Sequence, residues 1–168
     1  EDAEYLLESA SEFDLKNAQL KIDLVDVLRK RQKFSESQAL AEQLHRESPN
    51  NVQLKSLFAI EEMQMGRYEH AVSLFDEILE VIPSDPITLT SKGHALKTLG
   101  HQQPAIESYR AAVAADPWYG EAFYALSNLK TYRFTDAEIS AMQTYEAREE
   151  LGPSGAVHFC FALGKAFE

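Results

Sequence analysis

Apolar and small residues recur along this chain with two superimposed beats. Within segments they fall at i, i+4 and i+7, as in Ala71, Phe75 and Ile78, and again in Ala105, Tyr109 and Ala112. That spacing places three side chains on one face of an α-helix. Between segments, the same residue types return every 34 positions: Ser37, Ala71 and Ala105; Ala41, Phe75 and Tyr109; Phe34, Tyr68 and, less well, Gln102. Pro49, Pro83 and Pro117 close each period. A repeat of that length, with small residues, an aromatic and a final proline, predicts an all-α solenoid of helical hairpins.

The clearest period predicts a first helix from about Val52 to Met65 and a second from about Tyr68 to Val81. Gly66 closes the first, because glycine takes the left-handed conformation without Cβ strain. Pro83 blocks continuation, Ser84-Asp85 caps the next helix, and Pro86 suits its first turn. That next helix carries Leu89, Gly93 and Leu96, stops at Leu99-Gly100, and hands over to a helix beginning near Pro104. The period ending at Pro49 is weaker. Val25 replaces the small residue that lets two helices approach, and Ser37 stands in for alanine.

The phase continues outward. Ala3, Leu7 and Ala10 fall where a second helix places its inner residues. Gly120 to Lys130 reads as another first helix, with Phe123 and Leu126 inward. The following turn, Arg133 to Ala137, arrives two residues early, so this repeat is shortened. Thr135 and Glu138 form a capping box opening a helix to about Glu149. Gly152-Pro153-Ser154-Gly155 reads as a loop, and Leu163, Gly164, Ala166 and Phe167 as part of a fifth first helix. The expected organisation is one solenoid over 1–168, with about ten antiparallel helices. Its parts are the second helix of a preceding repeat (1–17), repeats at 18–51, 52–85 and 86–119, a shortened repeat (120–151), and the first helix of a truncated one (155–168). Opening and closing in mid-repeat points to an excerpt of a longer protein, with uncapped ends open to self-association.

Gly66-Arg67-Tyr68-Glu69-His70-Ala71, with Gly93, Gly100, Ala105, Tyr109 and the three prolines, resembles the tetratricopeptide repeat family. The resemblance implies a right-handed α-α superhelix in which the first helix of each repeat lines a concave groove. It also implies a scaffold that binds a protein or peptide there, without catalysis. A narrower stretch, Ala125 to Ile139, resembles the junction in bacterial proteins that join such repeats to a C-terminal sulfotransferase domain. That likeness implies an alternative: a non-catalytic N-terminal arm whose catalytic domain lies beyond residue 168.

Composition narrows the partners. The net charge of −11 gives no basic face for nucleic acid, and it disfavours an anionic membrane surface. The single cysteine, Cys160, excludes an intramolecular disulfide and is compatible with a cytoplasmic location. Phe159 and Phe161 beside it predict a buried structural thiol. No two of the five histidines stand at i, i+4, so no helical metal chelate is expected. Gly164-Lys165 is followed by Ala166 and lacks the phosphate-loop pattern. Neither a cofactor nor a catalytic residue is expected. The adjacent acids Glu61 and Glu62 diverge by about 100° on a helix and read as a solvated face. Met63 and Met65 fit either core or groove.

The groove candidates follow from the phase. They are Ile22, Asp26, Arg29 and Lys30, then Ser56, Ile60, Met63 and Gln64, then Thr90, His94 and Lys97, and last Tyr124, Asn128 and Thr131. Family members that hold acidic chaperone tails use a Lys/Asn/Arg clamp. Here Ile22 and Asp26 occupy the first clamp positions and only Asn128 resembles a clamp residue. A ligand with apolar and basic character is expected instead.

Overall fold

Asn17, Asn51 and Asp85 share the 34-residue interval, and each opens a helix. In the computed structural model, which describes residues 2–13, 17–146 and 153–168, the Asn51 side chain accepts from the N–H groups of Gln53 (3.0 Å) and Leu54 (3.2 Å). Asn17 does the same for Gln19 and Leu20, and Asp85 accepts from Thr88 at 2.8 Å. These oxygens satisfy donors that have no partner inside the helix. At the next phase, Tyr119 supplies no side-chain cap.

Ten helices are present among the described residues, and no strand. They are α1 (Asp2–Phe13), α2 (Ala18–Lys30), α3 (Phe34–Glu47), α4 (Val52–Gln64), α5 (Tyr68–Val81), α6 (Pro86–Thr98), α7 (Gln102–Ala115), α8 (Gly120–Ser127), α9 (Asp136–Glu146) and α10 (Pro153–Ala166). The fold is an all-α arrangement of successive helical hairpins, as the 34-residue period predicts. The Thr135–Glu138 capping box forms in both directions: Thr135 N–H donates to Glu138 Oε2 (2.8 Å) and Glu138 N–H to Thr135 Oγ1 (3.3 Å).

Three expectations need correction. Helix α8 stops at Ser127 rather than Lys130. Asn128 turns its side-chain amide back onto the Tyr124 carbonyl (3.0 Å), and the chain leaves through turns at Leu129 and Tyr132. The segment Pro153 to Gly155 is the first turn of α10, not a loop, because proline's missing N–H costs nothing at a helix start. In α1, Ala3 is exposed and Glu4 is buried in its place, paired with Arg31 and with Lys33 Nζ at 2.6 Å. The end of α9 predicted near Glu149 lies outside the described residues.

The chain divides into two units, Glu1–Ile78 and Leu79–Glu168. In the first, Val25, Ala41, Leu44, Phe58, Ala59, Ala71, Phe75 and Ile78 form one buried cluster. In the second, Leu89, Ala112 and Ala122 form one cluster, and Phe123, Met142, Phe159 and Ala162 another. Across the hairpins, phase-equivalent residues trade size: Val25 with Ala41, Ala59 with Phe75, and Gly93 with Tyr109. Val25, Ala41, Ala59, Phe75 and Tyr109 are all 0% exposed. A Cβ on Gly93 would lie 2.4 Å from Tyr109 Cε1, so the largest aromatic requires the smallest partner.

Helix-ending residues repeat on the same beat. Gly66 and Gly100 have φ of 75° and 81°, and Gln32, one period earlier, has φ of 61°. Glycine is at ease there, whereas glutamine is strained. Replacing Gln32→Gly is expected to stabilise the first unit by roughly 0.5–1 kcal/mol. A urea titration would show a higher midpoint with an unchanged slope.

Candidate functional site

In the first unit, the paired acids of α4 are internal. Glu61 is 0% and Glu62 2% exposed, which corrects the expectation of a solvated face. Ser37 Oγ donates to Glu61 Oε2 at 2.7 Å and Arg29 Nη1 to Oε1 at 3.0 Å, while Arg29 also pairs with Asp26. Glu62 receives Arg67 Nε (2.8 Å) and Gln38 Nε2 (3.0 Å), and meets His70 Nδ1 at 2.7 Å. The divergence of the two side chains thus sends them into two sets of partners rather than into water. Each set ties α4 to a neighbouring helix, since buried carboxylates are tolerated only when paired and hydrogen-bonded.

Their acidities move apart. Burial pushes the Glu61 carboxyl above the usual glutamate range, against the bonds from Ser37 and Arg29. Burial raises Glu62 as well, but the bonds from Arg67 and His70 outweigh it and hold this carboxyl below its ordinary value.

This network absorbs two groove candidates, Asp26 and Arg29. Ile22 and Met63 pack against the core cluster. Ser56 and Ile60 are half-buried, and Lys30 and Gln64 are exposed. Met65 is exposed at the end of the α4 hairpin.

In the second unit, α8 packs against both α6 and α10, so three first helices of successive hairpins lie side by side. Across the α6–α8 contact, His94 Nε2 lies 4.0 Å from Glu121 Oε1, about one turn before Tyr124; Lys97 is exposed on α6, and Asn128 is exposed just past the end of α8. His94 is half-buried, and its Nδ1 meets the Tyr109 hydroxyl at 2.9 Å. Burial lowers the His94 pKa, with Lys97 adding to the effect and Glu121 opposing it. With Nε2 protonated, the neutral imidazole accepts from Tyr109 at Nδ1 and turns Nε2–H toward Glu121 Oε1 at 4.0 Å. Thr90 lies beneath the surface at 2% exposure. Thr131 accepts from Gln102.

Tyr124 is 37% exposed and forms an aromatic group with His158 (centroids 5.5 Å apart) and Phe161 (6.0 Å) of α10. Phe161 itself is 62% exposed. Neither His158 nor Phe161 was among the sequence candidates. The irregular α8–α9 turn breaks the 34-residue phase that located the others. The signal available was the alternation around Cys160: Phe159 is buried and Phe161 exposed. Cys160 is exposed, which corrects the expectation of a buried thiol. Its Sγ donates to Glu146 Oε1 at 3.5 Å, and desolvation together with that carboxylate raises its pKa. Such a thiol is a poor nucleophile.

Beyond Tyr124, the α8–α9 turn and the end of α10 enclose a cleft of about 560 Å³ lined by residues that include Asn128, Lys130, Arg133, Phe134 and Lys165. Among the described residues, no three His, Cys, Asp or Glu side chains converge as a metal site would require. None of the helices is long and apolar enough to cross a membrane.

The tetratricopeptide repeat family profile matches residues 88–117. Protein CTR9 homolog of Arabidopsis thaliana is 30% identical over 108 residues, covering 58% of this chain and 10% of that protein. The heat-shock protein cognate (HSC) co-chaperone sgt12 of Aspergillus fumigatus is 30% identical over 94 residues, covering 55% of this chain and 27% of that one. The chain thus spans only a small part of the curated relatives it matches. Among solved structures, MamA from Desulfovibrio magneticus RS-1 superposes with a TM-score of 0.68 at 13% identity, covering 98% of this chain and 84% of that one. MamA AMB-1 gives 0.65 at 22% identity, covering 96% and 86%. These likenesses show the fold. The relatives named here lend no support to the sulfotransferase junction read at Ala125 to Ile139.

The acidic network supplies a test of the first unit. Glu62, with its lowered folded-state pKa, contributes stability that is complete above the ordinary glutamate value of about 4.3. That contribution is lost as pH falls through the lower folded-state value. Glu62→Gln is expected to cost about 2 kcal/mol at pH 7 and to flatten the acid limb of stability against pH, measured by urea unfolding from pH 7 to 3. The chain has a tetratricopeptide repeat at 88–117, set within a tetratricopeptide-type helical solenoid.

Proposed function

We propose that this chain is a protein-interaction scaffold that holds a partner segment on the first-helix face of its second unit, without catalysis of its own. The carrying observation is the preformed aromatic group of Tyr124, His158 and Phe161 on the packed helices α8 and α10, with Glu121 of α8 approaching His94 of α6 at 4.0 Å. Soluble domains bury most large aromatics, and an exposed aromatic group rimmed by polar side chains is the usual form of a binding surface. Its residues stand on packed helices rather than on loops, which reduces the ordering cost of association. The co-chaperone among the relatives is, by its name, a protein that acts with another protein, in keeping with this reading. Apolar side chains of the partner would cover Tyr124 and Phe161. The net charge of −11 favours a partner that is basic overall and speeds its encounter. In the first unit, Lys30, Ser56, Ile60 and Gln64 are the accessible candidates for further contacts.

The test is fluorescence anisotropy with a panel of labelled peptides that combine leucine or phenylalanine with lysine or arginine. Tyr124→Ala and Phe161→Ala are each expected to weaken any peptide that binds by about tenfold or more. Glu107→Ala, an exposed position on α7, is expected to change nothing. Binding that survives both aromatic substitutions would exclude this face.

A further inference from the structure

The cleft at the end of α8 reverses the sign of the molecule. In a chain of net charge −11, its rim carries Lys130, Arg133 and Lys165. The acid beside them is Glu168, which pairs with Lys165 at 2.5 Å. Lys130 and Arg133 have no carboxylate within ion-pairing distance among the described residues, and both are exposed. The floor is apolar: Leu129 is buried, and Phe134 and Ala166 pack against the Phe123–Phe159 cluster.

The turn that shapes the cleft is fixed. Tyr132 Oη donates to Glu138 Oε1 at 2.6 Å, and the Tyr132 and Phe134 rings meet edge to face at 5.1 Å. Glu138 is committed again as the acceptor of the capping box. Glu138 is therefore committed inside the turn, and Asp136, exposed at the start of α9, is not among the residues that line the cleft, whereas Lys130 and Arg133 are; Arg133 Nη1 also donates to the Tyr132 carbonyl at 3.3 Å. The cleft thus lies at the turn where this repeat is shortened by two residues.

We propose that this cleft binds an acidic segment of a partner protein. One carboxylate sits between Lys130 and Arg133, and one apolar side chain sits on Leu129, Phe134 and Ala166. Arginine suits the first role because its planar guanidinium presents paired donors to a carboxylate. The rim and floor together select against two simpler ligands. A small anion would leave the floor unused, and a basic peptide would meet like charge. The inference goes beyond the aromatic face proposed above, and the residues it rests on, Lys130, Arg133, Leu129, Phe134 and Ala166, are not part of the Tyr124–His158–Phe161 group.

The test uses the full chain and a fluorescein-labelled peptide with a leucine flanked by two glutamates on each side. Its counterpart has lysines in place of glutamates. The acidic peptide is expected to bind, with affinity falling as salt rises. Lys130→Glu and Arg133→Glu, both at exposed positions, are each expected to weaken it on the order of tenfold, while Phe161→Ala leaves it unchanged. Equal or tighter binding of the lysine peptide, or acidic binding indifferent to both charge reversals, would overturn the proposal. So would a concentration-dependent dimer in sedimentation that either reversal abolishes, because the occupant would then be a second copy of this chain through its acidic N-terminal helix. Loss of aromatic-face binding in Tyr124→Ala with the acidic peptide still bound would separate this site from the one proposed above.

Discussion

Each hairpin of this fold depends on how closely its two helices approach at one point. Tyr109, fully buried, occupies the space that any side chain at position 93 would need. In the other two complete hairpins the same two positions hold Ala59 with Phe75 and Val25 with Ala41. As the residue on the first helix grows, the one on the second shrinks. Core packing at crystal-like density leaves little slack, so a larger residue on one helix goes with a smaller one on the other, and the Val25–Ala41 pair is the smallest of the three in total. What looks like a defect at Val25 is one end of that exchange.

The consequences reach the surfaces proposed to bind. Tyr109, seated against Gly93, presents its hydroxyl to His94 one residue further along α6. Burial lowers the pKa of His94, and its Nε2 approaches Glu121 of α8 at 4.0 Å. In the first unit, a polar network performs the matching task. Glu61 ties α4 to α2 and α3 through Arg29 and Ser37, Glu62 ties it to α3 and α5 through Gln38 and His70, and Arg29 spans from Asp26 to Glu61. In the first unit the apolar pairs Val25–Ala41 and Ala59–Phe75 are thus supplemented by paired buried charge.

The periodic part of this architecture was legible in the sequence. Small residues, aromatics and prolines on a 34-residue beat gave the helix pairs, and Tyr68 to Val81 matches α5 residue for residue. The caps Asn17 and Asn51 lay on the same beat and could have been read with it. Ser37 was read as an imperfect alanine, whereas it donates to Glu61. A one-dimensional pattern shows that a position is small, not that its hydroxyl has a buried partner 24 residues away. The same limit made Glu61 and Glu62 look solvated, since burial of a charge depends on cations from other helices. Past Asn128 the beat is broken by local hydrogen bonds of the turn. Phe161, His158 and the basic cleft, all beyond that break, could not be placed by phase.

The size exchange across the hairpin is tested most directly by a double-mutant cycle in the third hairpin that installs the pair of the first. Gly93→Val alone forces a side chain into the Tyr109 ring, and Tyr109→Ala alone leaves a cavity. Combined, they recreate Val25 with Ala41. Urea unfolding of the four proteins should give a favourable coupling above about 1 kcal/mol, with the double variant more stable than the sum of its parts requires. Additive losses, agreeing within about 0.5 kcal/mol, would contradict the exchange.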